Sequence, residues 1–541
     1  MLLPSKSCYR PGEPVTIELS PAPVARRATV TRLGTTVATV DVASDADVVT
    51  LPALPEGGYA VRVTDPPDGT DPSEAQWTAV EVLADPVARM RYGFVASYPP
   101  DRDVADVQRF FRRLHLTAAQ FYDWAYRHAN LVGPTEYADP LGQPVSMATV
   151  RRLAAGLRDA GTAPLGYAAV YGVGEHEWPD WRQAALLAPD GTAYSLANFL
   201  SLVDPSDPAW LEHFTADLVR ATTAGGFAGF HLDQYGFPRY ATRPDGRLVD
   251  VAAAFDTLIR RVREALPEAV LVFNNVNDFP TWATSRSPQN ATYIEVWPPH
   301  ERLADLAATF SRAKALAPTR PAIAAAYQTV YAAQPVEVAD TTTRLTMATL
   351  FSHGATQLLA GEAGNVLVDP YYVNNRRAEA GTLDLLARWY DLLVAAGDVL
   401  LGPDLHDITG SVAGSFNDEV DVVAPDGVPV TGHADAGVVW RRVVHTPYGL
   451  LVHLINLTGQ DETGWDTPKK PLRPVSGLRL RVRRAGSATP TVRVADPDRG
   501  PAFTTIPTTT DGNHAHTPLP PLRAWQLVLV SYHAATEELP R

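Results

Sequence analysis

The sequence predicts a multidomain protein in which a central (β/α)8 barrel lies between two β-sandwiches. Three observations lead to this prediction. With 541 residues, the chain is long enough for about three or four domains. Both ends show short alternating segments separated by turn residues, and the middle alternates strand-like with helix-like patterns. We therefore expect domains over residues 1–87, 88–403 and 404–541.

The first domain is predicted as a small β-sandwich. Alternating apolar residues indicate four strands, at Val15–Leu19, Arg27–Leu33, Thr36–Val42 and Tyr59–Val63. A stretch rich in Pro, Asp and Gly at 65–72 is predicted as a turn. Short strands at regular spacing, with turns between them, are typical of a sandwich.

The second domain alternates candidate strands with amphipathic segments. Eight strands are predicted, at Arg91–Val95, Ala118–Tyr122, Pro164–Val170, Gly226–Leu232, Ala269–Phe273, Thr292–Val296, Ala322–Ala326 and Thr356–Leu359. Ser146 is placed to begin one helix and Gly225 to cap another. Eight such units fit a (β/α)8 barrel. An open doubly wound sheet would usually carry a Gly-rich turn after its first strand, and Tyr92–Pro100 is not one.

The third domain returns to strands and is predicted as a second β-sandwich. Six strands are expected, at Glu419–Val423, Gly437–Trp440, Leu450–Leu454, Leu478–Arg483, Thr491–Val494 and Ala524–Leu529. Turns rich in Pro and Thr separate them.

Composition excludes several classes of function. Lys plus Arg is 46 and Asp plus Glu is 60, a formal net charge of −14, so we expect no nucleic-acid partner. No apolar run approaches the roughly 18 residues of a membrane span. Cys8 is the only cysteine, which excludes an internal disulfide. Residues 1–7 lack a signal-peptide pattern, so we expect a cytoplasmic protein, or a secreted one if its leader is missing here.

Polar and aromatic residues gather where the predicted strands end, which is where barrels place their active sites. The candidate site residues are Tyr98, Asp123, Trp124, His128, Tyr171, Asp233, Gln234, Asn274, Glu295, Trp297, Tyr327 and Glu362. A barrel that served only as a scaffold would not need these groups at one rim.

Three of these residues are carboxylates that follow apolar strand residues: Asp123, Asp233 and Glu295. A pair of carboxylates facing each other across a pocket is the minimal equipment for cleaving a glycosidic bond. Asp233 and Glu295 come from strands four and six, which lie two apart on the same side of a barrel. Aromatic residues in the same loops, such as Trp124 and Trp297, offer flat surfaces for sugar rings.

Structural interpretations of the same residues stay open at this point. Asp233 is also placed to cap the following helix, and Glu295 to pair with an arginine. On a regular strand His231 shares a face with Asp233, although a core histidine is the simpler interpretation. A metal site built from His128, His231 and Asp233 has no ligand spacing to support it, so no metal or cofactor is expected.

Three motifs resemble glycoside hydrolase family 66, which contains the endo-dextranases and the cycloisomaltooligosaccharide glucanotransferases. They are Gln120–His128, Gly226–Gln234 and Tyr293–Trp297. Smaller matches occur at Pro11-Gly12, Phe273-Asn274 and Ala324–Tyr327, and a weaker one at Val452–Asn456. The three main motifs fall in the family's order, at the second, fourth and sixth predicted strands.

The resemblance implies an immunoglobulin-like first domain, a (β/α)8 barrel and a C-terminal β-sandwich. It also implies cleavage of α-1,6-glucosidic bonds in an α-glucan, with retention of anomeric configuration. By motif, Asp233 is similar to the family's nucleophile and Glu295 to its general acid/base. Asp123 resembles a third acidic residue that binds the sugar.

One departure from the family concerns the reaction outcome. Cyclising members carry a carbohydrate-binding insertion after strand seven, whereas here a short segment that reads as one helix follows Tyr327. This favours hydrolysis over cyclisation. The alternatives are a transglycosylase that forms or opens cyclic isomaltooligosaccharides, and a non-catalytic glycan-binding barrel. The number of subunits is left open.

Overall fold

The computed structural model describes residues 2–22, 24–64, 75–197 and 199–532. The predicted turn at 65–72 lies outside these residues. Within them the chain is multidomain, with a curled 11-stranded sheet in the middle and smaller β-sheets towards both ends. None of the helices in these ranges is long and apolar enough to cross a membrane.

The N-terminal strands form two sheets around a shared core. The strands are β1 (Leu2–Pro4), β2 (Val15–Leu19), β3 (Arg26–Arg32), β4 (Thr35–Val42), β5 (Val48–Leu51), β6 (Gly57–Thr64) and β7 (Gln76–Val82). Their sheet orders are β1-β2-β5 and β4-β3-β6-β7. Ile17 from one sheet and Val61 from the other are fully buried in the same cluster. All four strands predicted here are present.

In the middle of the chain, strands and helices follow one another. The elements are β8 (Tyr92–Val95), α1 (Val104–Arg113), β9 (Ala118–Phe121), β10 (Glu136–Ala138), β11 (Pro144–Ser146), α2 (Met147–Asp159), β12 (Ala163–Ala169), β13 (Gly172–Gly174), α3 (Trp178–Trp181), β14 (Ser195–Leu196), β15 (Leu200–Leu202), α4 (Pro208–Gly225), β16 (Gly229–Asp233), β17 (Tyr240–Thr242), β18 (Leu248–Asp250), α5 (Val251–Ala265), β19 (Val270–Asn274), α6 (Thr281–Thr284), β20 (Ala291–Glu295), α7 (Leu303–Leu316), β21 (Ala322–Ala325), α8 (Val330–Ala333), α9 (Val336–Ser352), β22 (Ala355–Gln357), β23 (Ala360–Gly361), β24 (Asn365–Val366), β25 (Arg376–Arg377), α10 (Ala380–Ala395) and α11 (Gly397–Leu400).

The predicted strands of this region pair in chain order, each parallel to the next: β8, β9, β12, β16, β19, β20, β21 and β22. The last predicted strand, Thr356–Leu359, overlaps β22, which pairs with β21; the short strand β23 follows the predicted one and pairs with β8. The sheet therefore curls back towards its first strand. At this contact a Cβ on Gly361 would lie 2.2 Å from the carbonyl oxygen of Phe94, so only glycine lets the two strands approach.

Three local predictions need correction. The strand that carries Asp233 begins at Gly229, because Gly226 ends α4 as its C-cap with a left-handed φ of 71°. The predicted cap, Gly225, is the last residue of that helix. The segment after Tyr327 contains two helices, α8 and α9, rather than one. Ser146 does precede α2 as predicted, although its side chain makes no capping hydrogen bond.

The pleat of β16 has the predicted alternation. Phe230 and Leu232 are buried in the large cluster that includes the helices around the sheet. His231 and Asp233 point to the other face, inside the curl, where the ring of His231 lies against Tyr92 and Tyr293. The alternation delivers the carboxylate of Asp233 to the inner edge of the sheet.

The C-terminal strands form two further sheets around a second core. They are β26 (His406–Asp407), β27 (Val420–Val423), β28 (Val430–Thr431), β29 (Val439–Thr446), β30 (Gly449–Asn456), β31 (Arg479–Arg483), β32 (Thr491–Asp496), β33 (Gly500–Ile506), β34 (Thr509–Asp511), β35 (His514–Pro518) and β36 (Trp525–Ser531). The larger sheet has the order β26-β29-β30-β36-β32-β33, and the smaller one β27-β31-β35-β34. Leu454 and Leu480 belong to the core that the two sheets share.

Candidate active site

A cavity of about 270 Å³ opens at the carboxyl ends of the parallel strands. Because parallel strands end at one edge, residues far apart in sequence meet there. Eight of the twelve predicted site residues line this cavity: Asp123, His128, Asp233, Gln234, Asn274, Glu295, Trp297 and Tyr327.

Asp233, the last residue of β16, is held by two side-chain donors. The Tyr167 hydroxyl donates to Oδ2 at 2.8 Å, and Asn274 Nδ2 donates to Oδ1 at 2.7 Å. His231 Nε2 lies 4.0 Å from Oδ1. Burial lowers the pKa of His231 to about 3, so its ring is neutral beside the carboxylate. The capping role considered for Asp233 is filled elsewhere, since Asp250 caps α5.

Glu295, the last residue of β20, shares a donor with Asp233. Asn274 Nδ2 also donates to Glu295 Oε2, at 3.0 Å, and the Tyr327 hydroxyl donates to Oε1 at 2.8 Å. The arginine considered as a partner for Glu295 is not seen, because no Lys or Arg is among the described residues that line the cavity. One amide nitrogen therefore joins the two carboxyl groups.

Burial and mutual repulsion raise the proton affinity of these carboxyls. The pKa of Asp233 is raised to about 7, first by burial and then by the charge of Glu295. Burial raises the pKa of Glu295 too, against the hydrogen bonds from Asn274 and Tyr327. The pair consequently holds a proton near neutral pH, as an acid and a nucleophile working together require.

A third carboxyl, Asp123, lines the same cavity. Its φ of 46° lies in the left-handed region, which aspartate tolerates better than most residues. Burial, followed by Asp139 and Asp233, raises its pKa to about 8. His128 lies in the same loop, with its ring 6.1 Å from that of Phe199, and burial lowers its pKa to about 4. Both side chains are thus largely uncharged at neutral pH.

The remaining lining residues differ in what their side chains touch. Gln234 uses its amide on the backbone, donating to the carbonyls of Asn274 and Phe279 at 3.1 and 3.0 Å. It therefore positions Asn274. Trp297 and Tyr327 form one wall, with ring centroids 5.8 Å apart.

Four predicted residues do not line the cavity, and three of them are aromatic. Trp124 is fully buried and donates to the Tyr167 carbonyl at 3.1 Å. The Tyr98 hydroxyl donates to the carbonyls of Val95 and Tyr122. The Tyr171 hydroxyl donates to the carbonyl of Phe237 at 2.6 Å. These three residues support the loops of the site. They were predicted to bind substrate, but their side chains do not line the cavity.

Glu362 also lies elsewhere, in a separate cavity of about 500 Å³. Its Oε1 accepts from the backbone N–H of Ala96 at 2.6 Å, and its other oxygen pairs with Arg102. With a φ of 53° the residue turns away from the strand direction. Glu362 is thus a paired carboxylate that joins two loops.

The sequence interpretation missed several tyrosines of the cavity. Tyr167 lies within β12, two residues before the strand ends, and its register opposite His231 places it inside the curl. Inward alternation along β12 was the signal that could have found it. Tyr372 stacks on Tyr122 with centroids 4.2 Å apart, but it comes from a loop after β24 that carries no such signal. No group of three or more His, Cys, Asp or Glu that could hold a metal occurs among the described residues.

The sequence matches the model of glycosyl hydrolase family 66 over residues 4–529. The chain therefore belongs to glycosyl hydrolase family 66. This confirms the family resemblance of the three motifs and makes the protein a glycosidase-type enzyme. Two relatives from Niallia circulans are both named cycloisomaltooligosaccharide glucanotransferase. Their sequence identities to this family 66 chain are 24% and 23%, over alignments that cover 46% and 41% of it. The matches span only 28% and 26% of those relatives' own lengths.

Solved structures show the same fold. A cycloisomaltooligosaccharide glucanotransferase from Paenibacillus sp., complexed with cycloisomaltoheptaose, has a TM-score of 0.85 at 19% identity, over 97% of this family 66 chain and 99% of the other. An α-amylase from Geobacillus thermoleovorans, complexed with acarbose, has a TM-score of 0.53 at 11% identity, over 83% and 99%.

Proposed function

We propose that this family 66 protein is a retaining glycoside hydrolase that cleaves α-1,6-glucosidic linkages in dextran or isomaltooligosaccharides. The observation that carries the proposal is the amide of Asn274, which bonds both Asp233 and Glu295. Its N···O distances of 2.7 and 3.0 Å leave Asp233 Oδ1 and Glu295 Oε2 less than about 6 Å apart, whereas inverting enzymes separate their carboxyls by about 6.5–9.5 Å.

The two carboxyls have different roles in the proposed reaction. Asp233 attacks the anomeric carbon, the glycosidic C–O bond breaks, and Glu295 gives its proton to the leaving oxygen. A glycosyl ester on Asp233 results. Water then attacks the same carbon, the ester bond breaks, and Glu295 takes the proton from water. Because the ester on Asp233 carries no negative charge, the pKa of Glu295 falls once the ester has formed, so Glu295 stays deprotonated and is available as the base of the second step.

Several groups of the cavity fit a neutral, hydroxyl-rich ligand. Asn274 Oδ1 is buried and has no hydrogen-bond partner among the described residues, so it can accept from a sugar hydroxyl. Asp123 and His128 are polar without being strongly charged, and Trp297 offers a flat apolar face. We infer that the substrate is an α-glucan and that neither nucleic acid nor a membrane is a partner.

The domain organisation belongs to the same proposal. The pairing of eight parallel strands, with β22 and β23 joining β21 to β8, supports a (β/α)8 barrel. Breaks between β7 and β8 and between α11 and β26 support boundaries near residues 87 and 403. The flanking sheets would then be an immunoglobulin-like sandwich and a C-terminal sandwich.

A second candidate activity is transfer to a sugar instead of water, forming or opening cyclic isomaltooligosaccharides. The matched relatives, which are cycloisomaltooligosaccharide glucanotransferases, favour it. Both activities share the ester intermediate and differ only in which hydroxyl attacks it. A non-catalytic glycan-binding barrel would have no need for the pair of Asp233 and Glu295.

The deciding experiment is product analysis by chromatography and mass spectrometry after incubation with dextran and with isomaltooligosaccharides of increasing length. Linear products are expected, and their size distribution distinguishes endo from exo action. Products lighter by one water than their linear counterparts would establish cyclisation. If no α-1,6-linked substrate is cleaved and a control with α-1,4-glucans is, the linkage is wrong; cleavage of neither contradicts the catalytic proposal.

A further inference from the structure

A second cavity, of about 250 Å³, adjoins the catalytic cavity on the side of Glu295. Trp297, Tyr327 and Pro370 line both cavities. The hydroxyl of Tyr327 donates to Glu295 Oε1 at 2.8 Å, so the proposed acid/base lies against the shared wall. The group that Glu295 protonates in the first step, or deprotonates in the second, is therefore next to this second cavity.

The opposite wall of the second cavity comes from residues 465–467, which lie in the C-terminal part of the chain. Trp465 Nε1 donates to the carbonyl of His300 at 2.7 Å, and its backbone N–H donates to the carbonyl of Glu301 at 2.9 Å. The backbone N–H of Leu303 donates to the carbonyl of Thr463 at 2.8 Å. These bonds hold the segment against the loop after β20, so the wall is preorganised.

The chemistry of this cavity suits a sugar. Its aromatic walls are Trp297 and Trp465, and its carboxylates are Glu301, Asp369 and Asp466. Among the described lining residues none is Lys or Arg, which disfavours an anionic ligand. Aromatic faces pack on the apolar faces of a pyranose, and carboxylates accept bonds from its hydroxyls.

We propose that the second cavity binds a glucose unit on the leaving-group side of the scissile bond and an acceptor sugar once the ester has formed. The inference rests on the proposed function. In the transfer step the acceptor oxygen bonds to the anomeric carbon, the ester bond to Asp233 breaks, and Glu295 takes the acceptor's proton. Residues 465–467 thereby influence whether a sugar or water receives the glycosyl group.

The test uses the full chain, with 4-nitrophenyl isomaltoside as donor and added isomaltose as acceptor. Glu301→Trp changes an exposed side chain and fills the cavity, and Trp465→Phe keeps an aromatic ring but shortens the wall. The ratio of transfer product to hydrolysis product is measured by chromatography. We expect it to fall by about tenfold in Glu301→Trp and by about threefold in Trp465→Phe. The control is Arg302→Trp, an exposed neighbour that does not line the cavity.

The outcomes separate this inference from the proposed function. If Glu301→Trp folds natively by circular dichroism and its ratio stays within about twofold of the wild-type value, the inference is overturned while the hydrolase proposal stands. An equal fall in Arg302→Trp overturns it as well. If the wild-type protein cleaves neither the donor nor any isomaltooligosaccharide, the proposed function itself fails and this inference fails with it.

Discussion

Two cavities at the carboxyl ends of the parallel strands each contain carboxylates that the sequence places at strand ends. In the cavity proposed as the active site, Asp233 and Glu295 receive neutral donors, and none of the described lining residues is Lys or Arg. In the cavity near Tyr98, Glu362 is paired with Arg102 and a backbone N–H. The same residue type at the same kind of position thus meets opposite electrostatic surroundings.

This difference supports the proposal that Asp233 and Glu295 react whereas Glu362 is structural. Without a cation nearby, burial and like charge keep a proton on the pair and make it available for transfer. Beside Arg102, the charge of Glu362 is neutralised by a fixed partner, and the carboxylate holds two loops together. The predictions below test this contrast, beginning with the largest expected effect.

Asp233→Asn and Glu295→Gln should each lower kcat/KM on an isomaltooligosaccharide by about 10³-fold or more, because each removes an essential group of the reaction. Steady-state kinetics checks this. The matched control is Glu362→Gln, whose kcat/KM should stay within about threefold of the wild-type value. Equal losses in all three variants would break the contrast between the two cavities.

Azide distinguishes the two roles with an activated aryl donor. In Glu295→Gln, azide replaces water in the second step and should give a product of retained configuration. In Asp233→Asn, azide occupies the place of the missing nucleophile and should give the inverted product. Nuclear magnetic resonance of the glycosyl azide reads the configuration. The opposite pairing of variant and product would exchange the assigned roles.

Asn274→Ala should lower kcat by about 10²-fold, because it removes the donor that holds both carboxylates in one geometry. Loss of these hydrogen bonds should also raise the pKa of Asp233 further, so the acid limb of the pH–rate profile should move to higher pH. An unchanged acid limb in a natively folded variant would show that Asn274 does not tune the pair.

Glu362→Gln should cost about 1–3 kcal/mol in the free energy of unfolding, because it leaves Arg102 without its charged partner. Urea denaturation measures the loss. Glu301→Gln is the control, an exposed carboxylate for which less than about 0.5 kcal/mol is expected. A stability equal to that of the wild type would mean that the pairing of Glu362 with Arg102 is not structural.

The last prediction concerns the pH dependence of the free energy of unfolding. The pKa of Asp123 is raised to about 8, so between about pH 4 and 8 the folded chain binds a proton that the unfolded chain has released. Its contribution therefore lowers the free energy of unfolding as the pH rises through that window. Asp123→Asn should flatten the fall of the melting temperature. Asp159→Asn, at an exposed position, serves as the control.

Much of the fold was predictable because local patterns reflect burial. The eight strands of the middle region were predicted within a few residues, and Phe230 and His231 point to opposite faces of β16 as the pleat of a strand requires. Boundaries were less accurate. Gly226 continues an apolar run in the sequence, but the chain needs its left-handed conformation to end α4, and periodicity carries no information on that need.

The sequence alone determined the edge of the sheet at which Asp123, Asp233 and Glu295 meet. Side-chain alternation and parallel strand pairing leave little choice of edge or face. Tertiary structure decided which carboxylates pair with a cation and which receive only neutral donors. Arg102 neutralises Glu362 from 260 positions away, and Trp465 reaches the loop after β20 from a different part of the fold. A proton affinity depends on every charge and dipole within a few ångströms, and such neighbours are brought together only by the folded chain.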